Sequence, residues 1–165
     1  MQLPDPITPE LVEYLRSTYL LTWDGVHGWS HWMRVCENGL RIARLNGADQ
    51  KIVTLFAFTH DMARRNEGTD HEHGARAAHR ICKELQGRFF TLEQKELDLL
   101  TQAVKQHTNG FVEADITVQT CWDADRLDLN RVGIKPAPHR LCTPQARDPE
   151  VLAWANQRAA MRAER

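Results

Sequence analysis

The sequence lacks the long apolar run that a membrane-spanning helix requires. Its longest apolar stretch, residues 52–58, is interrupted by Thr54 and falls far short of the roughly 20 residues needed to cross a bilayer. The first residues also lack the basic and apolar regions of a secretory signal peptide. We therefore expect a cytoplasmic protein that does not associate with membranes.

The sequence also has almost no net charge and no closely spaced pair of cysteines. The 22 acidic and 21 basic side chains leave a formal net charge of −1, so no bulk field attracts nucleic acid or anionic lipid. General nucleic-acid binding is therefore disfavoured. The four cysteines form no C-x-x-C pair, which argues against a zinc knuckle or a redox dithiol and favours buried apolar thiols.

What the sequence does contain is a series of apolar patterns at helical spacing. A chain of 165 residues with 42% hydrophobic side chains has the length and core of one domain. The pattern has no period-two strands, no repeat and no linker. We predict an all-α, single-domain helical bundle over residues 1–165. Its helices should lie at about 9–19, 29–46, 50–62, 74–86, 91–108 and 116–130, followed by a short polar helix from residue 150.

Capping residues set several of these boundaries. Thr8 before Pro9 is typical of a helix start, and Asp49 can cap the third helix. Thr91 and Gln94 have the spacing of a capping box. The pair Asn46-Gly47 is a typical helix end.

The chemistry is concentrated in histidines and aspartates. Five of the eight histidines fall in two short clusters, His27/His31 and His60/His71/His73. Neighbouring helical residues such as His60 and Asp61 can reach one ion, and imidazole and carboxylate are usual ligands of transition metals. His31 shares a face with apolar Val35 and Ile42, so its ring needs a polar partner.

Helical phase selects one aspartate from the segment 122–128. Asp125 falls on the stripe of Val118, Cys121, Trp122 and Leu129, and we expect it to point inward. A buried carboxylate without a partner costs several kcal/mol, so a cation should meet it. Asp123 and Asp128 lie off the stripe, where each is either a solvated charge or a hydrogen-bond partner of a ligand.

In this order along the chain, His31, His60-Asp61 and Asp125 resemble the HD superfamily of metal-dependent phosphohydrolases. The phrases HGWSHWMRV, FAFTHD and DHEHGARAA strengthen the resemblance. It covers about residues 25–135 and leaves 136–165 as a C-terminal extension. The resemblance implies a helical bundle in which these four residues bind one divalent metal, such as Mn, Fe, Co, Ni or Zn.

A second metal position is also suggested by the resemblance. The segments around His73 and His107 are similar to those that hold a second ion in some HD proteins, including dinucleoside-polyphosphate hydrolases and di-iron oxygenases. Asp61 would then bridge the two ions. The alternative is that both histidines are ordinary polar residues at helix ends.

The resemblance implies hydrolysis of a phosphate ester or anhydride by metal-activated water, with a nucleotide or dinucleotide as substrate. Asp61 would be central to catalysis. Arg64, one turn beyond it, and Lys105, two positions before His107, are candidate phosphate ligands, the alternative being surface charge. Competing functions are a di-iron oxygenase and a non-catalytic ligand-binding module. The sequence leaves the oligomeric state open.

Overall fold

The protein is described by a computed structural model that covers residues 2–163. Within that range the secondary structure is helical, apart from one isolated bridge between Gln86 and Phe90. The all-α prediction is confirmed. The α-helices are α1 (Pro9–Thr18), α2 (Trp29–Asn46), α3 (Gln50–Thr59), α4 (His73–Arg80), α5 (Gln94–Gln106), α6 (Ile116–Arg126), α7 (Pro144–Arg147) and α8 (Pro149–Ala163).

Several predicted boundaries are confirmed by their capping bonds. Thr8 Oγ1 accepts a hydrogen bond from Leu11 N at 3.2 Å, and Asp49 Oδ1 accepts one from Ile52 N at 3.1 Å. Gly47 ends α2 with a φ of 78°, a conformation that glycine adopts without steric cost.

Four boundaries differ from the prediction. The helix predicted over 74–86 is α-helical only to Arg80 and continues as a π-helix, Ile81–Leu85. The capping box of α5 is formed by Glu93 and Glu96 rather than by Thr91 and Gln94, because the helix begins at Gln94 and each glutamate side chain accepts from the backbone N–H of the other. α3 ends at Thr59, beyond which the chain closes tight i→i+3 turns. α6 ends at Arg126 and gives way to a 3₁₀ turn, Leu129–Val132.

α3 is the central helix, because every residue from Ile52 to Thr59 is buried. It packs against α2, α5 and α6, and fully buried Trp32, Phe56 and Trp122 fill much of the space between them. The turn that follows α3 is therefore also inside the protein. His60 and Asp61 sit on that turn, where water is largely excluded.

The C-terminal region adds a second, smaller core. The helix predicted to start near Glu150 is 15 residues long, and Val151, Ala155 and Ala159 give it a buried face rather than a wholly polar surface. The second core consists of Ile42, Leu127, Leu141, Ala146, Val151 and Ala155.

None of the described helices is both long and apolar enough to cross a membrane.

The cysteines differ in burial. Cys36, Cys121 and Cys142 are buried, as expected. Cys82 is exposed, so the prediction of a buried thiol is wrong at that position.

Asp123 is a further correction, because it is completely buried although it lies off the predicted inward stripe. Its Oδ1 accepts a hydrogen bond from Cys142 N at 2.6 Å, and its Oδ2 accepts one from Thr143 N at 2.8 Å. Helical periodicity did not predict the burial of Asp123, because this face of α6 is covered by the C-terminal region of the chain. Asp123 therefore anchors that region to the bundle.

We expect Asp123→Asn to destabilise the protein, because the amide offers one acceptor oxygen in place of two and leaves a buried N–H unpaired. The free energy of unfolding should fall by about 1–3 kcal/mol, measured by urea or thermal denaturation. Asp98→Asn makes the same change on the exposed face of α5 and should leave stability nearly unchanged. Equal stabilities of the two variants would contradict the anchoring role.

Candidate metal centre

Six polar side chains from five parts of the fold converge in the interior. We call them the His/Asp cluster: His31 of α2, His60 and Asp61 of the turn after α3, His73 at the start of α4, His107 just after α5, and Asp125 of α6. Five of the six are buried, and Asp125 keeps 19% of its side chain exposed. Asp125 does turn toward the cluster, but it is less buried than the periodicity predicted.

The first ligand group consists of His31, His60 and Asp125, whose ligand atoms lie within 4.8 Å of one another. His31 Nε2 is 3.1 Å from His60 Nε2 and 3.4 Å from Asp125 Oδ1. Asp61 Oδ2 lies 3.7 Å from His31 Nε2 and 3.6 Å from His60 Nε2. Four potential donor atoms thus face one small volume.

The second ligand group consists of Asp61, His73 and His107, again within 4.8 Å. Asp61 Oδ1 lies 3.0 Å from His73 Nε2 and 3.6 Å from His107 Nε2, and the two Nε2 atoms are 2.9 Å apart. Asp61 therefore directs one oxygen to each group. This is the arrangement that a bridging carboxylate requires.

All four histidines of the cluster use Nδ1 for a hydrogen bond to an oxygen that can only accept. The proton must then reside on Nδ1, which leaves the Nε2 lone pair directed into the cluster. Their acceptors are Asp128 Oδ2 for His31 (2.7 Å), Phe56 O and Ala57 O for His60 (3.2 and 3.1 Å), Asp70 O for His73 (2.5 Å) and Val104 O for His107 (2.7 Å).

The electrostatics of the cluster suit a cation. Burial lowers the pKa of His60 to about 3, so its ring is neutral at neutral pH. Burial alone would raise the pKa of Asp61, but the imidazoles of His60, His107 and His73 lower it well below its usual range. Asp61 raises the pKa of His107 despite burial, so the second group attracts positive charge.

The donor atoms suit a metal ion, because several of them lack a hydrogen-bond donor. Asp61 Oδ1 is buried and has no hydrogen-bond partner, and pairs of Nε2 lone pairs face each other at about 3 Å. Such groups are costly to bury unless a cation meets them. The guanidinium of Arg64 lies beside the second group, whereas the facing Nε2 atoms of His31 and His60 belong to the first. Neutral imidazole and ionised carboxylate are the protonation states that transition metals bind.

Asp128 supports the cluster from behind, which answers the question that the sequence left open for this residue. It is buried, receives Nδ1–H of His31 and pairs with Arg34, whose Nε lies 2.6 Å from Asp128 Oδ1. Burial alone would raise the pKa of Asp128, but His31 and Arg34 lower it. An ionised carboxylate here fixes the ring of His31 and makes Nε2 a better donor atom.

The two predicted cationic residues have different positions. Arg64 is buried beside the second group, with Nη1 3.6 Å from Asp61 Oδ1 and 3.4 Å from His73 Nε2. Lys105 is exposed, since it lies two positions before His107 and therefore about 200° around the helix from it. The structure does not bring Lys105 to the cluster.

Sequence reasoning missed the role of Gly74. A Cβ on this residue would lie 2.6 Å from Val104 O, the acceptor of His107 Nδ1–H. Glycine therefore allows α4 to approach the end of α5 closely enough for His73 and His107 to meet. The adjacent pair His73-Gly74 was the available signal.

Asp128→Asn should lower the affinity for a divalent metal by about 10–100-fold, because the neutral amide holds His31 less firmly and presents an N–H group toward Arg34. Competition of the protein with a chromogenic chelator for Mn or Zn measures the affinity, and circular dichroism checks folding. Asp98→Asn, an exposed match, should retain wild-type affinity. If Asp128→Asn also retains it, packing alone orients His31.

A comparison with solved structures gives the fold a name. The chain is similar to a crystal structure of a predicted HD superfamily hydrolase from an uncultured Thermotogales bacterium, at 24% identity and a TM-score of 0.67, over 94% of this chain and 86% of that one. No protein-family model and no curated protein matches the chain. The chain thus shares the all-helical fold of that structure and carries a buried His/Asp cluster compatible with the H…HD…D motif.

Proposed function

We propose that the protein is a metal-dependent phosphohydrolase that acts on a phosphate ester or anhydride of the nucleotide class. The observation that supports this most directly is that the His/Asp cluster borders a cavity. Its members His107 and Asp125 form part of the lining of a cavity of about 590 Å³, which also includes Lys135 and Arg140. Ligands for a metal and cations for an anionic substrate thus share one space.

The residues of the two ligand groups would hold the metal. His31, His60 and Asp125 would hold one divalent ion of Mn, Fe, Co, Ni or Zn, and His73 and His107 would hold a second, with Asp61 shared. A bound metal of this kind supplies Lewis acidity, which polarises a phosphoryl oxygen and makes water a stronger acid. The partly exposed Asp125 faces the side from which substrate enters.

Arg64 would bind the phosphoryl group. Its Nη2 donates to Gly68 O at 2.7 Å and its Nε donates to Asn66 O at 3.4 Å, so the guanidinium is held in place. Nη1 remains directed toward the cluster beside Asp61. A guanidinium fixed in this way can stabilise the charge that develops on phosphoryl oxygens during hydrolysis.

The three buried cysteines are unsuited to act as nucleophiles. Burial raises the pKa of Cys36 to about 11 and that of Cys142 to about 12, and it raises that of Cys121 well above its usual value. These thiols stay protonated and unreactive at neutral pH. Attack by water is the simpler route.

A di-iron oxygenase is the main alternative, because the second ligand group suits an iron pair. We prefer hydrolysis because the cationic lining of the cavity suits an anionic substrate such as a phosphate ester. Oxygen uptake by the iron-loaded protein with an organic substrate, without release of phosphate, would favour the oxygenase.

We expect the Mn-, Co-, Ni- or Fe-loaded protein to release phosphate from at least one nucleotide or from p-nitrophenyl phosphate. Asp61→Ala removes a ligand from both groups and should reduce this activity at least about 100-fold, since metal assistance is worth several kcal/mol. A phosphate-release assay measures the rate, and EDTA should abolish it. Asp98→Ala is the exposed control. Full activity of folded Asp61→Ala would contradict the assignment.

Metal stoichiometry tests the second group separately. Elemental analysis of protein loaded anaerobically with Fe or Mn should give about two ions per chain, and the double variant His73→Ala/His107→Ala should give about one. Exposed His79 and His139 provide the control, and His79→Ala/His139→Ala should retain two. A wild-type value of one would instead assign the second position to the guanidinium of Arg64.

A further inference from the structure

The cavity beside the His/Asp cluster is built largely by the C-terminal part of the chain. His107 and Asp125 lie on the cluster side, and residues 134–141, which we call the wall segment, contribute Ile134, Lys135, Pro136, Ala137, Arg140 and Leu141 to the lining. A volume of about 590 Å³ lies within the range of small-molecule sites. A substrate whose phosphate reaches the cluster through this cavity passes the wall segment.

The wall segment contributes two positively charged side chains to the lining of the cavity. Lys135 and Arg140 are exposed, and neither side chain forms an ion pair within residues 2–163. Asp125, the acidic residue of the lining, belongs to the cluster. Cations that face a concave space without acidic partners are suited to bind additional phosphate groups.

The rest of the lining is largely apolar. Leu129, Ile134, Pro136 and Ala137 line the cavity, and Ile134 is 55% exposed. An exposed isoleucine beside a cavity offers an apolar surface against which an aromatic ring can pack. The lining thus pairs cations with an apolar surface, which matches the chemistry of a nucleoside polyphosphate.

The backbone at the C-terminal end of the wall segment is held in place, so this part of the cavity wall is formed before substrate arrives. Arg126 spans the cavity edge by donating to Arg140 O at 2.9 Å and to Phe111 O at 2.6 Å. Arg147 Nη2 donates to Leu141 O at 2.8 Å, and Asp123 binds the backbone just beyond. Positioning of this kind lowers the entropic cost of binding.

We propose that the wall segment is the substrate-recognition element and that the substrate is a nucleoside polyphosphate. Lys135 and Arg140 bind phosphates beyond the one that is cleaved, while Ile134 contacts the base. The cleavage of that phosphate rests on the proposed function, whereas the binding contacts do not. Lys135 and Arg140 are specificity residues, and Arg126 positions the backbone of Arg140.

Binding to the Mn-loaded protein tests the charges. Calorimetry with adenosine 5′-(β,γ-imido)triphosphate, AMP and adenosine should give affinities that decrease in that order. In Lys135→Glu/Arg140→Glu the affinity for the triphosphate should fall at least tenfold more than the affinity for AMP. Arg16→Glu/Lys83→Glu makes the same charge change at exposed positions outside the cavity and should retain the wild-type ratio. Metal content serves as the check that the cluster is intact.

Inorganic tripolyphosphate separates the base contact from the charges. Ile134→Asn should weaken binding of the nucleotide analogue several-fold and leave binding of tripolyphosphate unchanged. The proposal is overturned if wild type binds triphosphate no better than AMP, or if the charge-reversed variant keeps the wild-type ratio. Discrimination by the wall segment without release of phosphate from any substrate would support the proposal and contradict the proposed hydrolase instead.

Discussion

The Nδ1 hydrogen bonds of the four clustered histidines are the interactions on which the site depends. They fix each ring so that Nε2 points inward, and two of them exploit helix ends. His60 and His107 directly follow α3 and α5, where the last carbonyls have no intrahelical donor. Each ring satisfies such a carbonyl and is thereby oriented. Backbone geometry, rather than side-chain packing alone, thus prepares these two positions for a metal.

The burial of α3 explains why such a site can exist in a domain of this size. A helix that is buried on all sides from Ile52 to Thr59 carries His60 and Asp61 into the interior, away from the water that would otherwise screen them. Asp61 then has imidazoles on both sides, and each oxygen faces a different pair. The same desolvation that makes an uncompensated carboxylate costly makes this one a strong attractor for cations.

α6 connects the cluster to the rest of the molecule. Asp125 faces the cluster, Asp128 beyond the helix orients His31, and Asp123 binds the backbone of the C-terminal region. One short stretch therefore fixes a candidate ligand, its support and the anchor of the wall segment. Arg126, from the same stretch, ties that segment to Phe111 across the cavity edge. The candidate site and the C-terminal extension are thereby coupled through four neighbouring residues.

The longer helices, the caps at Thr8, Gly47 and Asp49 and the H…HD…D resemblance could be predicted from the sequence, because periodicity, capping and motif spacing are local properties. The same patterns indicated that His31 needs a polar partner and that Asp125 turns inward. The short helix α7, the burial of Asp123, the support of His31 by Asp128 and the different positions of Arg64 and Lys105 follow from the tertiary fold. These outcomes depend on which distant segment covers each helix face. The cavity and its wall segment could not be predicted from the sequence either, because they arise from contacts between α6 and residues 134–147 that no local pattern encodes.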